Sequence, residues 1–217
     1  HVAGLLNLRE SQPLRLYATQ RVLDVLKANT IFNVLNPKFV IREAMVLNEA
    51  LELKKPDESS MQIRITPFAV PGKVALWLED ESKGKNFGSV DEDTIALEVE
   101  DMVDGKKFFY MPACARMTDE LAAQIQGADM VFFDGTLWVD DEMIRDGVGI
   151  KTGQRMGHMS VSGEEGTLSC LESLDIKRKI FIHINTTNPI LLDDSEQRKM
   201  VEAAGWEVSY DGMEIKL

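Results

Sequence analysis

Between residues 14 and 18 apolar and polar side chains alternate with the period of a half-buried strand. After Thr19 the spacing changes. Val22, Leu23, Val25 and Leu26 recur at helical intervals, which predicts a helix over Gln20–Ala28 with the Thr19 hydroxyl as its N-cap. The opening ten residues read as a turn entering a short helix. A second short helix over 31–35 is stopped by Asn36-Pro37, and residues 39–47 and 51–54 are weaker strand candidates. Met61, Ile63 and Ile65 alternate with polar neighbours, a strand that runs into Thr66-Pro-Phe-Ala-Val-Pro-Gly72. The charged stretch 80–93 reads as a surface loop. Strands at 94–100 and 106–111 flank Asp104-Gly105, a hairpin signal, and Thr118 caps a helix that ends at Gly127.

Two short runs, 129–134 and 179–184, are almost wholly apolar, the composition of strands buried on both faces of a sheet. An amphipathic helix over 194–204 closes at Gly205. A strand pair over 206–210 and 213–217, joined at Asp211-Gly212, is expected to follow it. Strands and helices alternate with hairpins mixed in. The pattern predicts an α/β (α+β) fold, a mixed sheet covered by helices in a single domain over residues 1–217.

Composition narrows the function classes. The formal net charge of −12 and the lack of a clustered basic surface argue against nucleic acid as a partner. Lys177-Arg178-Lys179 is short and leads into an apolar run, so it reads as a solvated strand start. Cys114 and Cys170 lack the paired spacing of a zinc knuckle or a redox dithiol and are expected to be free thiols in a reducing cytoplasm. No apolar stretch approaches the length of a membrane span, and no signal peptide is visible, although the chain starts at His1.

The chain has three histidines, His1, His158 and His183. His183 closes a buried strand, where the carboxyl edge of an α/β sheet binds ligands. A core histidine satisfied by backbone carbonyls fits the same spacing. The polar run Asn185, Thr186, Thr187 and Asn188 tilts the reading toward a site. Asp134 closes the other buried strand. A carboxylate there has to be hydrogen-bonded, paired or metal-bound, or else serve as a cap for Gly135-Thr136. His158 lies on a Gly-flanked loop open to solvent, with Arg116, Lys151 and Arg155 as candidates to line an anion pocket. From the residues alone, these groups amount to a candidate mononuclear site for a divalent first-row metal.

Several longer strings carry a resemblance. They include His1-Val-Ala-Gly-Leu-Leu6, Ala69-Val-Pro-Gly-Lys-Val74, Leu76-Trp-Leu-Glu-Asp80 and Tyr110-Met-Pro-Ala-Cys-Ala-Arg116. Asp134-Gly-Thr-Leu-Trp138, Asp140-Asp-Glu-Met-Ile-Arg145, Met156-Gly-His158, His183-Ile-Asn185, Thr187-Asn-Pro-Ile190 and Gly205-Trp-Glu-Val208 continue it. On these strings the sequence resembles the protein B family of pyrroloquinoline quinone (PQQ) biosynthesis, within the metallo-β-lactamase superfamily.

The resemblance implies an αββα sandwich whose first half and cysteine-rich structural zinc site would lie upstream of His1. On that reading this chain alone completes neither metal site. His1 and His183 match metal ligands, with an Asp expected just before His1. Asp134 and His158 match a carboxylate–histidine pair that acts beside the metal. Arg116, Lys151, Arg155, Asn185 and Asn188 are the expected substrate-binding groups. The sequence departs from the superfamily pattern in having no histidine near Val70-Pro71-Gly72 and no aspartate near Pro112-Ala-Cys114. One metal with open positions, iron rather than a zinc pair, suits that depleted set.

The implied activity is hydroxylation of the tyrosine ring in a Glu–Tyr-derived peptide precursor, in the cytoplasm, alongside other proteins of the pathway. Two other classes stay in view. One is a non-catalytic carrier assisting transport of PQQ or its precursor toward the periplasm, and the other is a metal-dependent hydrolase. A homodimer is left open.

Overall fold

A computed structural model describes residues 2–8, 11–84 and 86–216. The candidate ligand His1 lies outside the described residues. Two sheets organise the chain. The smaller pairs β1 (Leu14–Thr19) with β2 (Val40–Met45) in parallel. Between them runs α1 (Gln20–Ala28), and Thr19 caps it by accepting from the Val22 N–H. Leu26, Phe32, Leu35 and Val40 form an apolar cluster beneath these elements. The opening residues Val2–Leu8 form a 3-10 helix, and Thr30–Val34 form another.

The larger sheet has seven strands in sequence order: β3 (Leu51–Lys54), β4 (Ser60–Ala69), β5 (Ile95–Asp101), β6 (Lys107–Met111), β7 (Val131–Asp134), β8 (Lys179–Ile182) and β9 (Trp206–Val208). The first four are antiparallel, and β6 to β9 run parallel. The change of direction comes where α2 (Asp119–Ile125) crosses from β6 to β7, with Thr118 accepting from the Leu121 N–H at its start. Three four-residue helices, α3 (Glu142–Arg145), α4 (Gly153–Met156) and α5 (Thr167–Cys170), fill the long connection from β7 to β8. The last crossover is α6 (Glu196–Ala203), capped by Ser195.

Register explains the core. Met111, Phe133, Phe181 and Val208 are partners across four neighbouring strands and therefore share one face. Leu121 and Ile125 of α2 and Val201 of α6 join that cluster. Trp206 stacks on Phe181 with ring centroids 4.0 Å apart, and Phe133 meets the same indole edge-on. Each fully buried Phe contributes about 1.5–3 kcal/mol relative to leaving it in water.

The expectation of a strand over 213–217 does not hold for its described part. Residues 213–216 form no strand, and Leu217 lies outside the described residues. Trp206–Val208 instead pairs in parallel with β8, so the Asp211-Gly212 turn closes no hairpin. The tertiary position beside β8 wins over the local turn signal. Both cysteines are free, as the sequence predicts. No helix of the described residues is long and apolar enough to cross a membrane.

Candidate metal centre

The parallel half of the sheet sets the site. Asp134 is the last residue of β7, and Ile182, its partner in register, is the last residue of β8. His183 comes directly after Ile182, so the carboxylate and the imidazole leave adjacent strands at the same carboxyl edge. Gly135 permits this approach, since a Cβ there would come within 3.0 Å of the Phe181 side chain and 3.2 Å of Ile184. His158 arrives from the loop after α4, which is anchored by the Met159 N–H donating to the Cys114 carbonyl at 2.7 Å.

Asp134 is completely buried, and both its oxygens are engaged. Oδ2 accepts from the Cys114 N–H at 3.1 Å and lies 2.6 Å from His158 Nδ1. Oδ1 accepts from the Thr136 N–H at 3.1 Å and from the Thr136 hydroxyl at 2.5 Å. Burial pushes this carboxyl up. The hydrogen bond from His158, the nearby His183 imidazole and the Thr136 hydroxyl together outweigh it, and Asp134 is held below the usual carboxylate range. It is therefore the acceptor in its contact with His158, which puts a proton on Nδ1 of His158 and leaves its Nε2 lone pair free.

Thr136 does the same for His183. Its Oγ1 lies 2.8 Å from His183 Nδ1 and has a single proton, committed to the charged Asp134 oxygen as the stronger acceptor. His183 Nδ1 is then the donor, and its Nε2 keeps a lone pair. The two imidazoles stack with centroids 5.2 Å apart. One ligand atom each from Asp134, His158 and His183 lies within 4.8 Å of the others, a group that could hold a metal ion. A buried carboxylate that fixes the tautomer of an imidazole is the usual support of a histidine ligand. The donor set therefore fits a cation.

His183 adopts φ +52°, a left-handed conformation rare for a residue with a Cβ and costing of the order of 1–3 kcal/mol. The segment after it is tied down. The Asn185 N–H donates to the Thr136 carbonyl, and the Asn185 side chain donates to Thr187 Oγ1 at 2.7 Å. The Thr187 hydroxyl donates to Glu142 Oε1 at 2.5 Å, while Glu142 Oε2 accepts from the Trp138 N–H at 2.6 Å. Asn188, 1% exposed, donates to the Gly135 carbonyl and accepts from the Ile190 N–H.

Not every expected substrate group fits that role. Both ends of the Asn188 amide are used inside the scaffold, so its place is structural. The Arg155 guanidinium holds Glu79 with two bonds of 2.7 and 3.1 Å and lies over the Phe87 ring at 4.0 Å, and Lys73 reaches the same carboxylate. The charge of Arg155 is thus spent on a wall of the molecule. Asn185 turns its amide toward Thr187, away from a free role. The side chains of Arg116 and Lys151 have no hydrogen-bond or ion-pair partner among the described residues, Arg116 being exposed and Lys151 half-buried. Thr136 and Glu142 are functional candidates that the sequence does not single out. The Asp-Gly-Thr turn is the available signal for Thr136, whereas nothing local marks Glu142 as buried.

A beta-lactamase superfamily domain profile matches residues 1–184. The chain is 49% identical over 217 residues to the coenzyme PQQ synthesis protein B of Xanthomonas oryzae pv. oryzae, covering 100% of this chain and 69% of the relative. The chain belongs to the coenzyme PQQ synthesis protein B family. Another member of that family, from Gluconacetobacter diazotrophicus, is 52% identical over 216 residues, covering 99% of this chain and 69% of its own. The crystal structure of Zn(2+)-bound PqqB from Methylobacterium extorquens superposes with a TM-score of 0.91 at 46% identity, again over 100% of this chain and 69% of that one. The metallo-beta-lactamase fold protein YhfI from Bacillus subtilis, at 13% identity and a TM-score of 0.62 over 98% of this chain and 71% of that one, shares the fold. The metallo-β-lactamase fold expected from the resemblance is thus the fold of this chain.

Proposed function

We propose that the chain serves PQQ biosynthesis as a mononuclear metal-dependent hydroxylase of the tyrosine ring in a Glu–Tyr-derived precursor. The observation that carries this reading is the saturation of Asp134. Its two oxygens meet four protein donors, so it orients imidazoles and does not bridge two cations. What the chain then offers a metal is imidazole nitrogen, a set suited to one first-row cation with open positions and not to the paired cations of a hydrolase. The family names and the Zn(2+)-bound relative support a metal-dependent step in this pathway.

In this reading His183 would hold the metal through Nε2, with His1 as a second ligand implied by the resemblance. Iron, when bound there, would supply dioxygen activation. His158, its Nδ1–H kept by Asp134, accepts the phenol proton at Nε2 and so acts as general base. Arg116 and Lys151 hold substrate carboxylates. The work is done in the cytoplasm. The test is to supply the full-length protein with Fe(II), dioxygen, a reductant and the precursor, and follow the product by mass. Gain of one oxygen atom on the aromatic ring is expected, and its loss on His183→Ala. Binding of the precursor without turnover would replace this reading with the carrier.

A further inference from the structure

Beside the Asp134 centre lies a cavity of about 420 Å3, within the range of pockets that take small molecules, roughly 300–1,000 Å3. The two share a segment: Cys114 bonds Asp134 through its backbone, and Ala115 and Arg116 line the cavity. Ser89, Val90 and Asp91 line it too, and Val70 and Pro71 contribute apolar surface. Gly72 lies against Thr94 so closely that a Cβ would come within 2.2 Å of its hydroxyl oxygen, so the cavity wall needs a residue without a side chain there.

The charges around this cavity are sorted. Of the three consecutive acids Asp91, Glu92 and Asp93, two are spent. Arg21 donates its backbone N–H to Glu92 and its guanidinium to Asp93. The Asp91 side chain has no hydrogen-bond or ion-pair partner among the described residues, and Asp91 lines the cavity. Of the nearby bases, Arg155 and Lys73 are spent on Glu79. Arg116 is left, and it lines the cavity as well. One cation and one anion, not paired with each other, therefore border the same concave space. Both lining segments are braced. The Ala115 N–H donates to the Pro71 carbonyl at 2.6 Å, Gln154 donates to the Ala115 carbonyl at 2.8 Å, and the Val90 N–H donates to Asp93 at 2.8 Å.

We infer that this cavity binds the zwitterionic end of an amino acid, Arg116 taking the carboxylate and Asp91 the ammonium group. A simple anion would meet Asp91 as a like charge, and a simple cation would meet Arg116. Only a ligand carrying both groups satisfies Asp91 and Arg116 together. As the binding half of the proposed hydroxylase site, the inference rests on that reading, and the experiment separates the two.

The probes are L-tyrosine, tyramine, which lacks the carboxylate, and 3-(4-hydroxyphenyl)propanoate, which lacks the ammonium group. Each is titrated by calorimetry into the parent protein, Arg116→Gln and Asp91→Asn. L-tyrosine is expected to bind the parent roughly tenfold more tightly than either analogue. Arg116→Gln should erase its advantage over tyramine, and Asp91→Asn its advantage over the propanoate. Equal affinities of the three ligands for the parent, or equal losses for all three in either variant, overturn the inference. Metal content is measured in parallel. A protein that takes up no metal yet still discriminates the ligands in this pattern would retire the hydroxylase reading and leave the pocket standing.

Discussion

Replacing Asp134 by Asn changes one atom of a side chain that no solvent reaches, and the hydrogen bonds around that side chain determine the cost. The carboxylate accepts from the Cys114 N–H, the Thr136 N–H, the Thr136 hydroxyl and His158. An amide has one oxygen and one NH2. If the nitrogen takes the Oδ2 position, it confronts the Cys114 N–H and His158. If it takes the Oδ1 position, it confronts both donors of Thr136. Either way a buried backbone N–H loses its acceptor, at a cost of about 1–3 kcal/mol, and a charge-assisted bond worth about 1.5–3 kcal/mol is lost. The expected loss of stability in urea or thermal unfolding is therefore about 2.5–6 kcal/mol. In the first orientation His158 must turn its Nδ1 lone pair to the amide and move its proton to Nε2. In the second orientation the Thr136 hydroxyl that fixes His183 loses its acceptor, and loss of such outer support of a ligand lowers metal affinity by roughly 10–100-fold. The imidazole tautomer is read directly from 15N chemical shifts of the parent and the variant. An Asp134→Asn protein with the parent's stability, tautomer and metal affinity would refute the role assigned to Asp134.

Three further outcomes are expected. Glu142→Ala removes the acceptor of both the Thr187 hydroxyl and the Trp138 N–H, and should cost about 2–4 kcal/mol, whereas Glu142→Gln, which can still serve both groups, should cost less than half of that in the same unfolding assay. The hydrogen bonds from Arg155 and Lys73 lower the pKa of Glu79 from 4.5 to about 2, so the unfolded chain takes up this proton first as pH falls. The contribution of Glu79 is present above pH 4.5 and disappears toward pH 2, and Glu79→Gln should flatten the acid side of the stability curve in that window; an unchanged acid limb would count against the Arg155–Glu79 clasp. Burial pushes the Cys114 thiol up to about 12, so iodoacetamide at about pH 8 should label Cys170 in the native protein and Cys114 only after unfolding, as mass spectrometry of the peptides will tell.

The sequence is most legible where local chemistry and tertiary position agree. Thr19 and Thr118 cap the helices that their hydroxyls announce, and the two apolar runs ending at Asp134 and Ile182 are adjacent parallel strands. Polar residues closing such strands stand at a sheet edge, which is why Asp134 and His183 stand out in the sequence. The helices α3, α4 and α5 are not legible. Each is a single turn, too short for a periodic signal and held by contacts far away in sequence, such as Glu142 to Thr187. Residues 213–216 carry a hairpin pattern that the parallel pairing of Trp206–Val208 with β8 overrides. The residue types of Arg155 and Asn188 suit substrate binding, but no local pattern reveals that Glu79 and the Gly135 carbonyl already occupy them. The Thr136 hydroxyl lies within hydrogen-bond distance of both imidazoles, a fact that emerges only when strands β7 and β8 are side by side.

The most direct check is anomalous diffraction from crystals of the metal-loaded full-length protein. A single cation bonded to His183 Nε2 at about 2.0–2.1 Å, with Asp134 still on His158 and not on the metal, is the arrangement expected. A cation bonded directly to Asp134, or one bound away from His183, would contradict it.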